Sequence, residues 1–401
     1  MTQKILIAGS GFAGLWAALS ASRAVALAGR SDDIEVIVIS PEPNVVIRPR
    51  LYEPVLDNMA PDISALLEAV GAKHIAAKID TIDTSARTVL LTRSDGTRET
   101  IGYDRFVLAA GSQLFRPNIP GLDHAFDTDQ LSSAQALDAH LRQLGGRPET
   151  EARNTVVVAG GGFTGLEAVT EMPGRLRAAL GDGVDVRVIL IDTEAEAGRS
   201  VGVAAMPFVH EALAEAGVEA RTGVRVAAVD ADSVTLSSGE NIATNTVVWT
   251  AGMRANPLAA QIAGEHDGLG RVVGDVYLRA SAAPGVFVTG DVVNAATDDV
   301  GNQTVMSCQH ALSLGRVAGH NAAAELVGLP LHPYSQPKYV TCLDLGSWGA
   351  LFTEGWDRQV RLTREEGKKV KREINTMFIY PPAPDRDAVF AVANPDYVIV
   401  A

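Results

Sequence analysis

Cysteine is almost missing from this chain. Its 401 residues include two, Cys308 and Cys342, which cannot build a disulfide framework. No C-x-x-C occurs, which excludes a zinc ribbon and a dithiol motif, and the composition points to a reducing, cytosolic compartment. No uninterrupted run of about 18 apolar residues is present, so no membrane-spanning helix is expected. Positive charge is also short: 34 Lys and Arg face 48 Asp and Glu, a net charge of −14 that disfavours DNA or RNA as a partner. Aromatic residues are 5% of the chain, whereas there are 38 glycines. With 47% hydrophobic and 20% charged residues, this suits a globular α/β protein with tight glycine turns. The length exceeds one ordinary core and predicts two or three domains.

The chain opens on a segment that mimics a secretory leader, Lys4 followed by ILIAGSGFAGLWAALSAS. Three glycines at dinucleotide-turn spacing favour another reading: a buried parallel strand over residues 4–9, a turn, and a helix from about Phe12 to Ala28. IEVIVIS (34–40) completes a βαβ unit. Residues 88–112 read as a hairpin turning at Asp95-Gly96, then a buried strand ending at Gly111. The pattern restarts at residues 154–172 with a strand, a glycine turn and a helix; DVRVILID (185–192) is the next strand. TVVWTAG (246–252) echoes FVLAAGS (106–112), and GVFVTGDVVN (285–294) is a later strand ending in Gly290-Asp291. Beyond Pro330, YVTCLDLGSWGALFTEG reads as strands of a small C-terminal domain.

Gly9-Ser-Gly11-Phe12-Ala13-Gly14 and Gly160-Gly-Gly162-Phe163-Thr164-Gly165 both fit G-x-G-x-x-G between a strand and a helix. The first glycine makes the turn, the second lets a pyrophosphate approach the backbone, and the third lets helix and strand pack closely. Free N–H groups at each helix start favour the phosphates. Asp192, ending the strand after the second turn, is placed to bind a ribose hydroxyl. Glu194 and Glu196 add negative charge that would repel a 2′-phosphate, favouring NADH over NADPH, although Arg199 is near. In the first copy the equivalent strand ends at Ser40, with Glu42 two residues on. Two dinucleotide sites in one chain point to a bound flavin beside a nicotinamide donor. Asp291 would then hold a flavin ribitol hydroxyl; the ordinary alternative for such an Asp is a helix N-cap. Cys308-Gln309-His310 admits three readings: a metal site, a thiol activated by a helix N-terminus, or the start of a helix that faces the flavin.

The order GSGFAG, FVLAAGS, GGGFTGLE, VVWTAG, GVFVTGD over about residues 4–320 resembles flavoproteins with two dinucleotide-binding domains. That pyridine nucleotide-disulfide oxidoreductase-like superfamily includes disulfide reductases, ferredoxin reductases and type II NADH dehydrogenases. NVVIRPRLYEPV (44–55) lacks the reductases' cysteine pair and is similar to the type II F-x-P-L-L-Y segment through Pro49, Leu51 and Tyr52. C-Q-H-A-L-S-L-G (308–315) resembles the quinone-site motif A-Q-x-A-x-Q-x-G through Gln309, Ala311 and Gly315, with Cys308 for Ala and Ser313 for Gln. YVTCLDLGSWGALF is similar to a late D-x-G-S-x-A segment through Asp344, Gly346, Ser347 and Ala350.

The resemblance implies an α/β fold of two Rossmann-like domains plus a small C-terminal α+β domain. An FAD domain would take residues 1–115 and 281–330, an NAD(P)H domain 116–280, and the C-terminal domain 331–401. FAD would contact the first turn, Arg48, Ala110, Gly111, Gly290, Asp291, Gln309, His310 and Ala311. NADH would contact the second turn, Asp192, Ala251 and Gly252. Glu167 would lie near nicotinamide and flavin, with Gln309 and His310 at the reacting centre and Trp348 beside the acceptor. The implied activity is an FAD-dependent NADH dehydrogenase with a quinone-like or other redox acceptor. A reductase of a ferredoxin-type carrier and a non-catalytic NADH sensor are the alternatives. Residues 358–372 carry seven Lys/Arg next to INTMFIY, read as a solvated helix beside a buried segment. The sharper reading is a peripheral contact with the inner face of the membrane or docking of an acidic carrier. No metal is expected. A homodimer is common in the superfamily, but no sequence feature argues for it.

Overall fold

The computed structural model describes residues 2–399. Two parallel sheets form its centre. The first runs Val286–Val288, Arg105–Leu108, Gln3–Ala8, Ile34–Ser40, Lys73–Ala76 in spatial order. The second runs Val218–Arg221, Arg187–Ile191, Thr155–Ala159, Thr246–Trp249. Their inner strands are apolar without alternation because both faces are covered. Phe106 and Phe287, fully buried in the first core, each contribute about 1.5–3 kcal/mol from burial. The two glycine turns therefore sit at equivalent places, at the carboxyl end of an inner strand of a doubly wound sheet, where such folds bind ligands.

The helix Phe12–Leu27 follows the first turn and Phe163–Leu180 the second. The latter continues through Pro173, beyond the expected segment. The burial of Met172 and Leu176 on either side holds the turn together despite the missing N–H. Cys308–Val327 lies along Phe12–Leu27 at near-backbone contact. A Cβ on Gly319 would stand 2.0 Å from the Ala17 carbonyl oxygen, and one on Gly315 2.4 Å from that of Ala13. Gly315 is thus a packing residue, and the alanine-rich first helix is the complementary surface.

Antiparallel sheets hang from each unit, Lys78–Asp83 with Thr88–Thr92 and Arg98–Gly102, and Val226–Val229 with Ser233–Leu236 and Asn241–Ala243. Ser112–Leu114 pairs with Met253–Ala255 where the chain crosses between units. The C-terminal region has a three-stranded sheet, Val340–Asp344, Ala350–Glu354 and Gln359–Leu362, covered by the helix Arg364–Glu373. Two expectations fail here. The basic segment is not merely solvated, since Lys371 is buried and Lys368 half-buried. INTMFIY is only partly buried: Ile379 and Asn375 are inside, whereas Met377 and Phe378 are 67% and 62% exposed. No helix among the described residues is long and apolar enough to cross a membrane.

Candidate functional site

The first glycine turn is shaped by exclusion. A Cβ on Gly14 would lie 1.9 Å from the Gly9 carbonyl oxygen, so only glycine lets the helix approach the strand. A Cβ on Gly11 would meet nothing within 4 Å, and no side chain caps the helix. That leaves an open cradle of amide donors at the helix start. Phe12 and Ala13 begin the helix over it. Ser10 donates from Oγ to the Asn44 carbonyl oxygen at 2.7 Å, and Asn44 Nδ2 donates to Glu42 Oε2 at 2.8 Å. Ser40 Oγ donates to the Glu42 carbonyl oxygen, so Glu42 is the carboxylate that this strand end offers next to the turn.

Arg48 lies across the far side of the same cleft. Its Nη1 donates to Ser112 Oγ at 3.1 Å, its Nη2 pairs with Asp129, and Asp291 Oδ2 is 4.0 Å away. Ser112 Oγ in turn donates to Asp291 Oδ2 at 2.6 Å. Burial pushes the Asp291 carboxyl above the usual range, against the pull of Ser112 and Arg48. Asp291 caps no α-helix; it lies in the short turn Gly290–Val292. Gly290 is pressed against the first helix, where a Cβ would meet Ala13 Cβ at 2.7 Å. Ala110 and Gly111 end the neighbouring segment, with the Gly111 carbonyl accepting from Asn256 N at 2.9 Å.

The second turn repeats the design. A Cβ on Gly165 would stand 1.7 Å from the Gly160 carbonyl oxygen, whereas Gly162 has nothing within 4 Å. Phe163 and Thr164 start the helix, and Gly160 packs on Thr250 and Ala251. Gly252 holds Phe115 N through its carbonyl at 2.8 Å. Asp192 Oδ1 accepts from Glu194 N at 3.1 Å, while its buried Oδ2 has no partner. Oδ2 points at the turn, since a Cβ on Gly161 would be 1.9 Å from it. Burial raises the Asp192 pKa. A buried, unpartnered carboxylate oxygen beside an open amide cradle fits a ribose diol. Glu194 is 3.7 Å from Arg199.

At the helix Cys308–Val327, Ser307 is the N-cap and accepts from His310 N at 3.3 Å. Gln309 Nε2 and His310 Nε2 are both buried without partners, and Ala311 is buried behind them. His310 is fully buried and stacks on Tyr339, with ring centroids 5.4 Å apart. Burial, with Arg271 adding to it, pushes its pKa down to about 4. A histidine depressed in the fold gains its proton on unfolding, so stability falls as pH drops through the window between 6.5 and about 4. His310→Phe should remove about 2–3 kcal/mol of the stability lost between pH 7.5 and 4.5, read from urea unfolding at the two pH values. The activated-thiol reading of Cys308 fails, because burial raises its pKa against the effect of Lys371. Trp348 is also displaced from its expected place. It is buried against Phe208, under the Arg364 guanidinium, in the core of the second unit.

One cluster joins Tyr52, Glu167 and Asp344, which the sequence singled out separately, with two lysines that it did not. Glu167, buried on the helix Phe163–Leu180, accepts from Lys371 Nζ at 2.7 Å and from Asp344 N at 3.1 Å. Lys371 also donates to the Cys342 carbonyl at 3.1 Å. Asp344 accepts from Tyr52 Oη at 3.0 Å and from Lys368 Nζ at 2.5 Å. Burial lifts the Glu167 pKa, with Lys371 opposing; burial alone would lower that of Lys371, but Glu167 holds it raised. Tyr52 stays a phenol, its pKa raised well above normal by burial and by the Glu167 and Asp344 charges. For the two lysines the sequence signal was the basic run, and its spacing does not say which of its members turn inward.

Comparison with known proteins agrees with this geometry. The family model for pyridine nucleotide-disulphide oxidoreductases matches residues 3–315. An NADH dehydrogenase-like protein of Mycobacterium tuberculosis is 46% identical over 383 residues, covering 94% of each chain. A demethylphylloquinone reductase of Synechocystis is 28% identical, covering 87% of this chain and 86% of its own. Among solved structures, NDH2 of Plasmodium falciparum, in complex with NADH, superposes with a TM-score of 0.79 at 12% identity, covering all of both chains. The two Rossmann-like units, their paired glycine cradles and these likenesses lead to one conclusion: the chain belongs to the pyridine nucleotide-disulphide oxidoreductase family and is a flavoprotein oxidoreductase similar to type II NADH dehydrogenases.

Proposed function

We propose that the protein is an FAD-dependent NADH dehydrogenase that delivers reducing equivalents to a quinone-like acceptor. The observation that carries this reading is the pair of open glycine cradles, the second of them faced by an unpartnered buried carboxylate oxygen of Asp192. FAD, when bound, accepts a hydride from NADH and releases electrons to the acceptor. Gly9, Gly11 and Gly14 would admit its pyrophosphate to the backbone amides, Glu42 would take its ribose, and Asp291, oriented by Ser112 and Arg48, its ribitol. Ala110, Gly111, Gln309, His310 and Ala311 would bound its ring system. Gly160, Gly162 and Gly165 would do the same for the NADH pyrophosphate. Asp192 would bind the adenosine ribose, and Ala251 and Gly252 would wall the nicotinamide side. Asp192, Glu194 and Glu196 support NADH over NADPH, since a 2′-phosphate would meet a carboxylate there.

A quinone-like acceptor takes up two protons with its two electrons. Lys371 Nζ, bonded to buried Glu167, holds a proton at the boundary of the second unit and the C-terminal sheet. Glu167, whose pKa burial raises, would be the group that takes up a proton and passes it toward the reduced acceptor, while Lys371, held charged by Glu167, keeps its own. Carrier docking on the basic run is disfavoured. Arg361, Arg364, Lys368, Lys371 and Arg372 each pair with a carboxylate of this chain, which neutralises most of the patch.

Anaerobic titration tests the reading. NADH should bleach the flavin absorbance at about one equivalent, with NADPH at least about tenfold weaker, the scale expected for losing a charge-matched site. Steady-state NADH oxidation should proceed with a soluble short-chain quinone, and the double variant Glu167→Gln with Lys371→Met, which strands neither charge, should slow acceptor reduction while sparing bleaching. Absence of a flavin spectrum after reconstitution with FAD, or turnover only with a carrier protein, defeats the proposal.

A further inference from the structure

We infer that Arg358, supplied by the C-terminal sheet, binds the phosphates of the nicotinamide dinucleotide at the second glycine turn. The inference rests on the reading of that turn as the NADH site. Arg358 occupies the hairpin between Ala350–Glu354 and Gln359–Leu362, in the left-handed region at φ 55. The hairpin turns its arginine toward the second unit. The aliphatic stem lies across Gly202, where a Cβ would come within 3.2 Å of Arg358 Cβ and Cδ. Nη1 donates to the Ser200 carbonyl oxygen at 2.8 Å, and Ser200 Oγ donates to the Gly161 carbonyl oxygen at 3.1 Å. The guanidinium lies over the Phe163 ring, 5.5 Å from its centroid. Gly161 and Phe163 flank Gly162, the residue with open space around it. Arg358 thus stands beside the rim of the cradle, over Phe163 and linked to Gly161 through Ser200.

The charge at this rim is unbalanced. Arg361, Arg364 and Arg372 on the same C-terminal segment all have carboxylate partners, as does Arg199 on the neighbouring loop. Among the described residues Arg358 has none; its contacts are a carbonyl oxygen and an aromatic face. A free guanidinium fork beside uncapped helix amides is the arrangement that recognises phosphate oxygens. A second feature points to the same ligand: Asp192, 6% exposed, aims an unpartnered oxygen at the turn from the ribose side. Asp192 and Arg358 together would bracket an adenosine diphosphoribosyl group, carboxylate on the diol and guanidinium on the phosphates. The C-terminal domain would then complete the nucleotide site as well as cover it.

The alternative is that Arg358 only fastens the C-terminal domain to the second unit. Arg364 provides the control, because it makes that fastening elsewhere, pairing with Glu211 and Glu215 and covering Trp348. ADP-ribose binding to the full FAD-loaded chain is measured by calorimetry for the wild type, Arg358→Leu, Arg358→Lys and Arg364→Leu. Arg358→Leu should weaken ADP-ribose about 10- to 100-fold, the range for losing a charge-assisted hydrogen bond. Arg358→Lys, which keeps charge without the fork, should recover part of this, and Arg364→Leu should stay near the wild type. Equal affinity of Arg358→Leu and wild type overturns the inference alone, as does an equal loss in Arg364→Leu. A wild type that binds no ADP-ribose overturns the NADH reading and the inference with it.

Discussion

Lys371→Met is expected to destabilise the fold by about 3–5 kcal/mol at pH 8, the scale for stranding one member of a buried ion pair. Lys371 and Glu167 are 6% and 7% exposed, so water cannot replace the lost partner. The double variant Lys371→Met with Glu167→Gln should regain most of the loss, because a buried pair contributes little net stability over a neutral replacement. The pH dependence has a definite sign. Glu167 already has a raised pKa from burial, and removing the lysine takes away the opposing influence. A carboxyl raised in the fold takes up a proton on folding. Its stabilisation is present at low pH and is lost as pH rises through the folded pKa. The Lys371→Met deficit should therefore shrink between pH 8 and pH 5. Urea unfolding at both values reads this directly; a deficit equal in single and double variants would assign the loss to packing instead of charge.

Gly11→Ala should leave the fold intact and abolish retention of FAD, whereas Gly14→Ala should damage the fold itself. Both glycines belong to one motif, but their surroundings differ. At Gly14 a Cβ would sit 1.9 Å from a carbonyl oxygen, so the first helix must move away from its strand. Such overpacking costs about 1–3 kcal/mol or more. At Gly11 nothing lies within 4 Å and φ is −62, which alanine adopts freely. The only thing an alanine methyl there would meet is a ligand. Gly162 has the same openness with φ −77, so Gly162→Ala should bind NADH weakly at unchanged stability. Thermal unfolding of the apoproteins and flavin absorbance per chain separate the two effects. Full FAD occupancy in Gly11→Ala would show that no pyrophosphate lies against this turn.

Much of the site was readable because its signals are local. A strand, a glycine turn and a helix start lie within about a dozen residues, and the third glycine of each turn answers to the carbonyl of the first, five residues before it. The helix start at Cys308, one of the three readings of that stretch, is also there, with Ser307 as its N-cap. Asp192 could be placed because it ends the strand next to the turn. The misreadings arose where one side chain's environment is set by distant segments. Cys308 sits at a helix N-terminus, yet burial outweighs that influence and keeps it a thiol. Trp348 looked like an acceptor-site aromatic but fills the core beside Phe208. The basic run looked like a solvated face, although its members turn alternately in and out.

By itself the sequence determined the two dinucleotide units, their order and the glycines that open them, since these depend on backbone geometry within short spans. Tertiary structure alone decided which residues meet between the units. Lys371 and Glu167 are 204 positions apart, and Arg358 reaches a loop 158 positions away. No periodicity links such positions. Their pairing follows from how the C-terminal sheet packs on the second unit, burying one cation against a carboxylate and leaving another without one beside the second glycine turn.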